Sequence, residues 1–204
     1  MKRFFYMIVA VIIIALGVTL LKLSSFGTDL FNCMNLGISS HLPISYGTYQ
    51  MLFNVVLFIP LFILKPSILG PGAIANMFFS AYIVEGFSYM FTVLRITTDS
   101  IYENNGCRMM FLLFGIICMC FGAALYMECD LGVAAYDALG QIMEEKLSGK
   151  VKYRMIRIIT DTICIMLGAI TGSVVGIGTL VGAFFTGPLI SAFRKIVNKK
   201  IRLQ

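Results

Sequence analysis

The segment that decides the fold is Phe26-Gly27-Thr28-Asp29-Leu30-Phe31-Asn32, because it occurs a second time as Leu131-Gly132-Val133-Ala134-Ala135-Tyr136-Asp137. A longer segment, residues 66–87, likewise recurs as residues 172–193, with serine, glycine and phenylalanine at matching places. Such duplication in an apolar chain is typical of membrane proteins built from two internal repeats, as many transporters are. We therefore expect a first repeat over 1–94, a polar connecting loop over 95–108 and a second repeat over 109–204 with a basic tail.

The composition is that of a protein surrounded by lipid. Hydrophobic residues make up 59% of the chain, charged residues 13%, and the mean hydropathy is +0.91. Soluble domains carry about 25% charged residues. The net charge of +6 does not indicate nucleic-acid binding, because the basic residues cluster at the ends of apolar runs. Membrane lipids are thus the expected surroundings.

The hydropathy pattern predicts an all-α polytopic membrane protein with about six transmembrane helices. Each of six apolar runs is long enough to cross about 30 Å of hydrocarbon. The runs are Phe4–Leu21, Tyr46–Leu64, Ala73–Leu94, Met109–Met127, Tyr153–Thr171 and Thr179–Val197.

Two shorter helical segments, residues 28–41 and 133–147, each begin just after a glycine, Gly27 or Gly132. At this length and mixed polarity we read them as re-entrant or interfacial half-helices. The alternative, in which both cross the membrane, gives eight spans and parallel rather than inverted repeats. Two further glycines, Gly72 and Gly178, are predicted to form structural turns before the third and sixth spans.

The basic residues predict the orientation of the chain. With both termini in the cytoplasm, the inner segments hold most of the lysines and arginines, including those of 146–157 and of the tail. The outer segments then hold only Lys22, Arg95 and Arg108. Because cytoplasmic loops carry an excess of basic residues, we expect a multi-pass protein of the plasma membrane with both termini inside.

Three polar positions within the apolar segments recur in both halves, and they are the candidate substrate or ion site. They are neutral in the first half and charged in the second: Asn32, Gln50 and Asn54 correspond to Asp137, Arg157 and Asp161. Polar groups in hydrocarbon are costly unless satisfied, so these side chains should face a shared interior site. The aspartates would bind a cation or carry protons, with Arg157 as their partner or as an anion contact. In the alternative, Arg157 and Asp161 form an ion pair along one helix, and the amides hold helices together.

Glu85 is a further acid in the middle of a predicted span, and its counterpart in the second half is Ser191. An isolated carboxyl group at membrane depth is a candidate for a proton carrier. We therefore include Glu85 in the predicted site. The alternative is a neutral glutamic acid that is hydrogen-bonded within the protein.

Nothing in the chain indicates an enzyme. His41 is the only histidine, and no catalytic triad, HExxH motif, phosphate-binding loop or dinucleotide fingerprint occurs. The six cysteines lack CxxC spacing and read as small apolar packing residues. We expect no catalytic residue, no metal site and no cofactor.

The two copies of the repeated segment carry a family resemblance. The first copy is followed by Ile44-Ser45-Tyr46-Gly47-Thr48, and the second by Gly176-Ile177-Gly178-Thr179 and Thr186-Gly187-Pro188-Leu189. Together they resemble the YczE/YyaS/YitT family of bacterial integral membrane proteins. The first copy departs from that family's usual pattern, with Asn32 in place of aspartate and Leu30 in place of proline. The resemblance implies a multi-span bacterial membrane protein with an internal duplication.

Two functional hypotheses follow. In the first, the protein transports a small polar or cationic solute or an ion through a site near the membrane midplane, between the repeats. In the second, it is a non-transporting accessory or regulatory protein that binds a partner through its basic cytoplasmic face. The sequence leaves homo-oligomer formation open.

Overall fold

The computed structural model describes residues 2–94, 96, 104–147, 151 and 153–201, and its regular structure in these ranges is entirely helical. Most of the predicted connecting loop, namely residues 95 and 97–103, lies outside the described residues. A 3-10 turn, Pro66–Ile68, precedes the fourth helix. The α-helices of the described ranges are α1 (Lys2–Ser24), α2 (Leu30–Ser39), α3 (Tyr46–Leu64), α4 (Pro71–Val93), α5 (Asn105–Glu128), α6 (Ala135–Lys146), α7 (Tyr153–Ile170) and α8 (Ile177–Ile201).

Local signals in the sequence start several of these helices. The Ser45 side chain accepts a hydrogen bond from the backbone N–H of Thr48 and so caps α3. Asn104 caps α5 in the same way, through the backbone N–H of Gly106. Pro71 begins α4, where its fixed φ suits a helix and its missing N–H is not needed.

Four helices are long and apolar enough to cross a membrane, judged by length and composition: Lys2–Ser24, Tyr46–Leu64, Asn105–Glu128 and Ile177–Asn198. The other two expected spans are helical but more polar. Helix α4 has 23 residues and contains Glu85, while α7 has 18 residues and contains Arg157 and Asp161. The six-span arrangement therefore stays a prediction.

The outer surface of the helices is apolar. Ile63, Ile170 and Phe184 are 74%, 77% and 75% exposed, and many other large apolar side chains also face outward. Contiguous apolar surface of this kind is unsuited to water and marks contact with lipid or with another protein. Together with the apolar helices, it indicates a membrane protein.

Helices α1 and α5 form the central contact and run antiparallel. One buried cluster joins Met7, early in α1, to Leu125, late in α5. A second cluster joins Leu21 to Leu112, at the opposite ends of the two helices. A Cβ atom added at Gly17 would lie 2.6 Å from the Met119 backbone nitrogen. Glycine at this crossing therefore allows the two backbones to approach closely.

The segments that lead into the two short helices are each held by the opposite half of the chain. Gly27 has φ +104° and Gly132 has φ +115°, a region that residues with a Cβ atom rarely adopt. The backbone N–H of Gly72 donates to Leu131 O at 2.8 Å, and that of Gly178 donates to Phe26 O at 2.7 Å. These paired contacts set where α2 and α6 begin.

Candidate functional site

A carboxylate stands at the start of each short helix. Asp29 caps α2 and accepts a hydrogen bond from the backbone N–H of Asn32 at 3.2 Å. Asp137 lies in the first turn of α6, where Ala134 provides no side-chain cap. Negative charge at these positions is favourable, because the free N–H groups of a helix N-terminus carry partial positive charge.

The first turns of α2 and α6 approach each other inside the protein. The rings of Phe31 and Tyr136 lie 4.8 Å apart between their centroids, and Phe31 also contacts Phe53 of α3 at 5.9 Å. Helix α2 packs on α7 through Leu30, Met34 and Cys164. Residues from both halves of the chain therefore meet around this aromatic contact.

A cavity of about 470 Å³ opens at this meeting point. Helices α2 and α3 of the first half and α6 and α7 of the second half all contribute to its walls. Its polar and charged lining side chains include Asp29, Asn32, Gln50, Asn54, Tyr136, Asp137, Tyr153, Arg157 and Asp161.

In the second half, the charged side chains form one connected network. The guanidinium of Arg157 pairs with Asp137, and its Nε lies 3.4 Å from Asp161 Oδ1. Tyr136 donates its hydroxyl proton to Asp161 Oδ1 at 2.6 Å, and Arg157 Cζ lies 4.4 Å from the centroid of the Tyr136 ring. Arg157 therefore joins α6 to α7 and is occupied on two sides by carboxylates.

The corresponding side chains of the first half, Asn32 and Gln50, form a network of amide hydrogen bonds. Asn32 Oδ1 accepts from the Tyr46 hydroxyl at 2.6 Å and from Gln50 Nε2 at 3.1 Å. Asn32 Nδ2 donates to Asp29 Oδ1 at 2.6 Å. Asn54 also lines the cavity and is buried. In the first half, amides thus connect these side chains and hold the Asp29 carboxylate, whereas the second half uses the ion pair of Arg157 with Asp137.

The structure brings together every predicted site residue except Glu85. Asn32, Gln50, Asn54, Asp137, Arg157 and Asp161 all line the cavity. Glu85 instead accepts a hydrogen bond from the Ser45 hydroxyl at 3.1 Å, at the start of α3. Its neighbour Val84 does line the cavity. One residue along a helix turns a side chain by about 100°, which directs Glu85 away from the cavity.

Within residues 2–94, 104–147 and 153–201, no group of three or more histidine, cysteine or acidic side chains could hold a metal ion. The six cysteines are free thiols, and four of them are buried.

The sequence profile of a family of unknown function, DUF6198, matches residues 1–195. The chain belongs to this family. The match covers nearly the whole chain, including every residue that lines the cavity.

Two relatives of this DUF6198 chain match over most of their length. The uncharacterized protein YyaS of Bacillus subtilis (strain 168) is 24% identical over 201 residues, which cover 97% of this chain and 94% of YyaS. An uncharacterized protein of Haemophilus influenzae (strain ATCC 51907 / DSM 11121 / KW20 / Rd) is 28% identical over 202 residues, covering 97% and 86%. These matches confirm the resemblance that the repeated motifs indicated. No solved structure matches the chain.

The sequence prediction missed several cavity residues of the DUF6198 chain. Asp29, Tyr46 and Tyr153 were not among the predicted site residues. Both tyrosines line or support the cavity networks: Tyr46 contacts Asn32, and Tyr153 lines the cavity itself. A signal was available, because each tyrosine lies four residues before Gln50 or Arg157, on the same helix face.

Proposed function

We propose that the protein is a transporter of a small polar or cationic solute or ion in the bacterial plasma membrane, with its binding site in the cavity between the two halves. The observation that carries the proposal is the convergence of Asn32, Gln50 and Asn54 with Asp137, Arg157 and Asp161 on one cavity.

The energetics of polar groups favour a binding role for this cavity. Gln50 and Asn54 are only 6% and 7% exposed, and the charged side chains lie on helices surrounded by apolar surface. Burying polar and ionised groups costs several kcal/mol unless they are satisfied. Residues of this kind at membrane depth mark solute or ion pathways.

The architecture that we propose has six spans in two inverted repeats. The antiparallel packing of α1 and α5 supports opposite orientations of the two halves. An inverted pair of repeats requires an odd number of spans in each half, and three is the number expected here. A small rotation of one half against the other would then open the cavity to either side of the membrane.

The short helices fit a re-entrant role in this architecture. Helix α2 begins shortly after Ser24, the last residue of α1, and its far end approaches the end of α7, where His41 Nε2 contacts Thr171 O at 3.0 Å. Helix α3 starts close by, at Tyr46. Helix α2 thus enters and leaves at the same end of the helix bundle.

The proposed orientation has both termini in the cytoplasm. The start of α1 and the end of α8 lie at one end of the bundle, since Met7 and Val197 belong to one buried cluster. Arg194 pairs with Glu128 at this end, with 2.8 Å between Nε and Oε1. Because Lys2 and Arg3 also lie here, the excess of basic residues supports a cytoplasmic location.

The test begins with ligand identification. Purified protein is screened by thermal shift against amino acids, small metabolites and inorganic cations, since a ligand that binds only the folded state raises the Tm. Each ligand found is then assayed for uptake into vesicles that contain the reconstituted protein. We expect at least one ligand to be transported.

The matched variants for this assay lie on one helix. Asp137→Asn should lower uptake at least about tenfold, because a carboxylate of the cavity is lost. Glu145→Gln should leave uptake unchanged, since Glu145 pairs with Lys65 at the surface. Ligands that bind without any uptake would overturn the transport proposal and favour the accessory role. Equal uptake by both variants would show that Asp137 is not part of the transport site.

A further inference from the structure

The charges that line the cavity do not balance. The lining contains the carboxylates of Asp29, Asp137 and Asp161, and Arg157 is the one basic side chain among the described lining residues. Arg157 is already shared by Asp137 and Asp161. With all groups ionised, the cavity holds an excess of negative charge in surroundings where uncompensated charge is unfavourable. A bound cation would relieve this imbalance.

Asp29 is the carboxylate that remains available. Its oxygens accept hydrogen bonds from the backbone and side-chain N–H groups of Asn32, at 3.2 and 2.6 Å. In the described part of the chain it forms no ion pair. Asp29 therefore has charge to offer to a ligand, with two acceptor oxygens and unused lone pairs.

The network around Asn32 adds a second acceptor. A carboxylate only accepts hydrogen bonds, so the amide N–H of Asn32 must face Asp29. Asn32 Oδ1 then faces Gln50, which donates through Nε2 at 3.1 Å. Gln50 Oε1 is consequently left as a free acceptor. It is buried without a hydrogen-bond partner among the described residues, on a side chain that is 6% exposed and lines the cavity.

The size and composition of the cavity favour an organic cation over a metal ion. About 470 Å³ far exceeds the space of a bare ion. Apolar side chains, among them Phe31, Met77 and Met119, complete the walls and suit a hydrocarbon body. Drug-sized and metabolite-sized ligands occupy cavities of this mixed character.

We propose that the cavity binds a small organic primary ammonium ion, whose N–H groups donate to the Asp29 carboxylate and to Gln50 Oε1. This inference rests on the proposed function for its use of the same cavity and adds the chemical class of the solute. The apolar part of the ligand contacts Phe31 and the methionines. Arg157, with Asp137 and Asp161, lines the same cavity.

The test is equilibrium binding to the purified 204-residue chain. Binding is measured by calorimetry and by the change in Tm. The probe is n-butylammonium chloride, compared with tetramethylammonium chloride, which carries the same charge without N–H donors, and with neutral 1-butanol. Binding is measured rather than flux, because the neutral amine crosses lipid unaided. We expect n-butylammonium to bind and to raise the Tm, and both comparison compounds to bind at least about tenfold more weakly.

The matched variants are Asp29→Asn and Asp130→Asn. Asparagine still caps a helix, so Asp29→Asn keeps α2 intact while it removes the charge. It should weaken n-butylammonium binding at least about tenfold. Asp130 occupies the exposed turn before α6 and lies outside the cavity lining, so Asp130→Asn should bind like the wild type.

Three results would overturn the inference: no binding of n-butylammonium, equal binding by Asp29→Asn, or equal binding of tetramethylammonium. If another solute is transported in an Asp137-dependent manner while n-butylammonium fails to bind, the ammonium inference falls and the transport proposal stands. If n-butylammonium binds through Asp29 but no ligand is ever transported, the transport proposal falls and the ammonium site stands.

Discussion

At the scale of single residues, the repeat positions Asn32 and Asp137 show how one atom changes a network. The Asn32 amide both donates and accepts, so it links Asp29 to Gln50 and Tyr46 without any cation. The Asp137 carboxylate only accepts, and it faces the guanidinium of Arg157. The second half therefore has arginine (Arg157) at the position of Gln50, and it also has aspartate (Asp137) at the position of Asn32.

Glu85 provides a prediction at the same scale. Because its carboxylate contacts Ser45 outside the cavity, Glu85→Gln should retain n-butylammonium affinity within about a factor of two. Calorimetry on the purified variant, with Asp29→Asn as the variant that loses binding, provides the measurement. A loss of affinity as large as that of Asp29→Asn would show that Glu85 belongs to the binding site, as the sequence alone predicted.

At the scale of elements, the segments that lead into the two short helices are tightly constrained. A Cβ atom at Gly132 would lie 2.4 Å from the Gly70 backbone nitrogen, and one at Gly27 would lie 2.2 Å from Thr179 Oγ1. Both glycines also have positive φ. The segment that leads into each short helix thus contacts the opposite half of the chain through glycines, which have no side chain.

Gly132→Ala tests this constraint. We expect it to destabilise the protein by about 1–3 kcal/mol, because the added Cβ atom strains the backbone and clashes with Gly70. Thermal unfolding in detergent measures the change in Tm. Gly86→Ala is the control: it lies within α4 with nothing within 4 Å of an added Cβ, and alanine is the better helix former. Equal Tm values for the two variants would contradict the prediction.

At the scale of the whole molecule, the number of membrane crossings determines which side of the membrane the start of α5 faces. With six spans, the start of α5 faces the outside. With eight spans, or with only the four most apolar helices crossing, the same residues face the cytoplasm. Cys107 lies at this start and is exposed, so its location separates these arrangements.

Cysteine labelling answers the question. In a variant whose other cysteines are replaced by alanine, we expect Cys107 to react with a membrane-impermeant maleimide added to intact spheroplasts. A cysteine introduced as Glu145→Cys in a background without native cysteines should react only after permeabilisation, since the proposed orientation puts the end of α6 inside. Protection of Cys107 until permeabilisation would contradict the six-span proposal.

The positions of the helices were largely predictable from the sequence. The apolar run Tyr46–Leu64 coincides with α3, and the short segment 133–147 contains α6, Ala135–Lys146. Helical periodicity, glycine and proline boundaries and capping residues are local signals, so they can be read without knowing what a helix packs against. The exclusion of Glu85 from the cavity was not predictable in this way, because depth in a span does not reveal the direction of a side chain.

The sequence by itself determined the apolar composition, the helical segments, the motif that occurs twice and the polar positions that differ between its two copies, because each is a property of composition or spacing. Only the tertiary structure decided that Asn32, Gln50, Asp137, Arg157 and Asp161 share one cavity and that Asp29 joins them. The physical reason is that these residues meet through contacts between distant segments. The contact of Phe31 with Tyr136 and the hydrogen bonds between glycine turns create that meeting, and no local pattern encodes it.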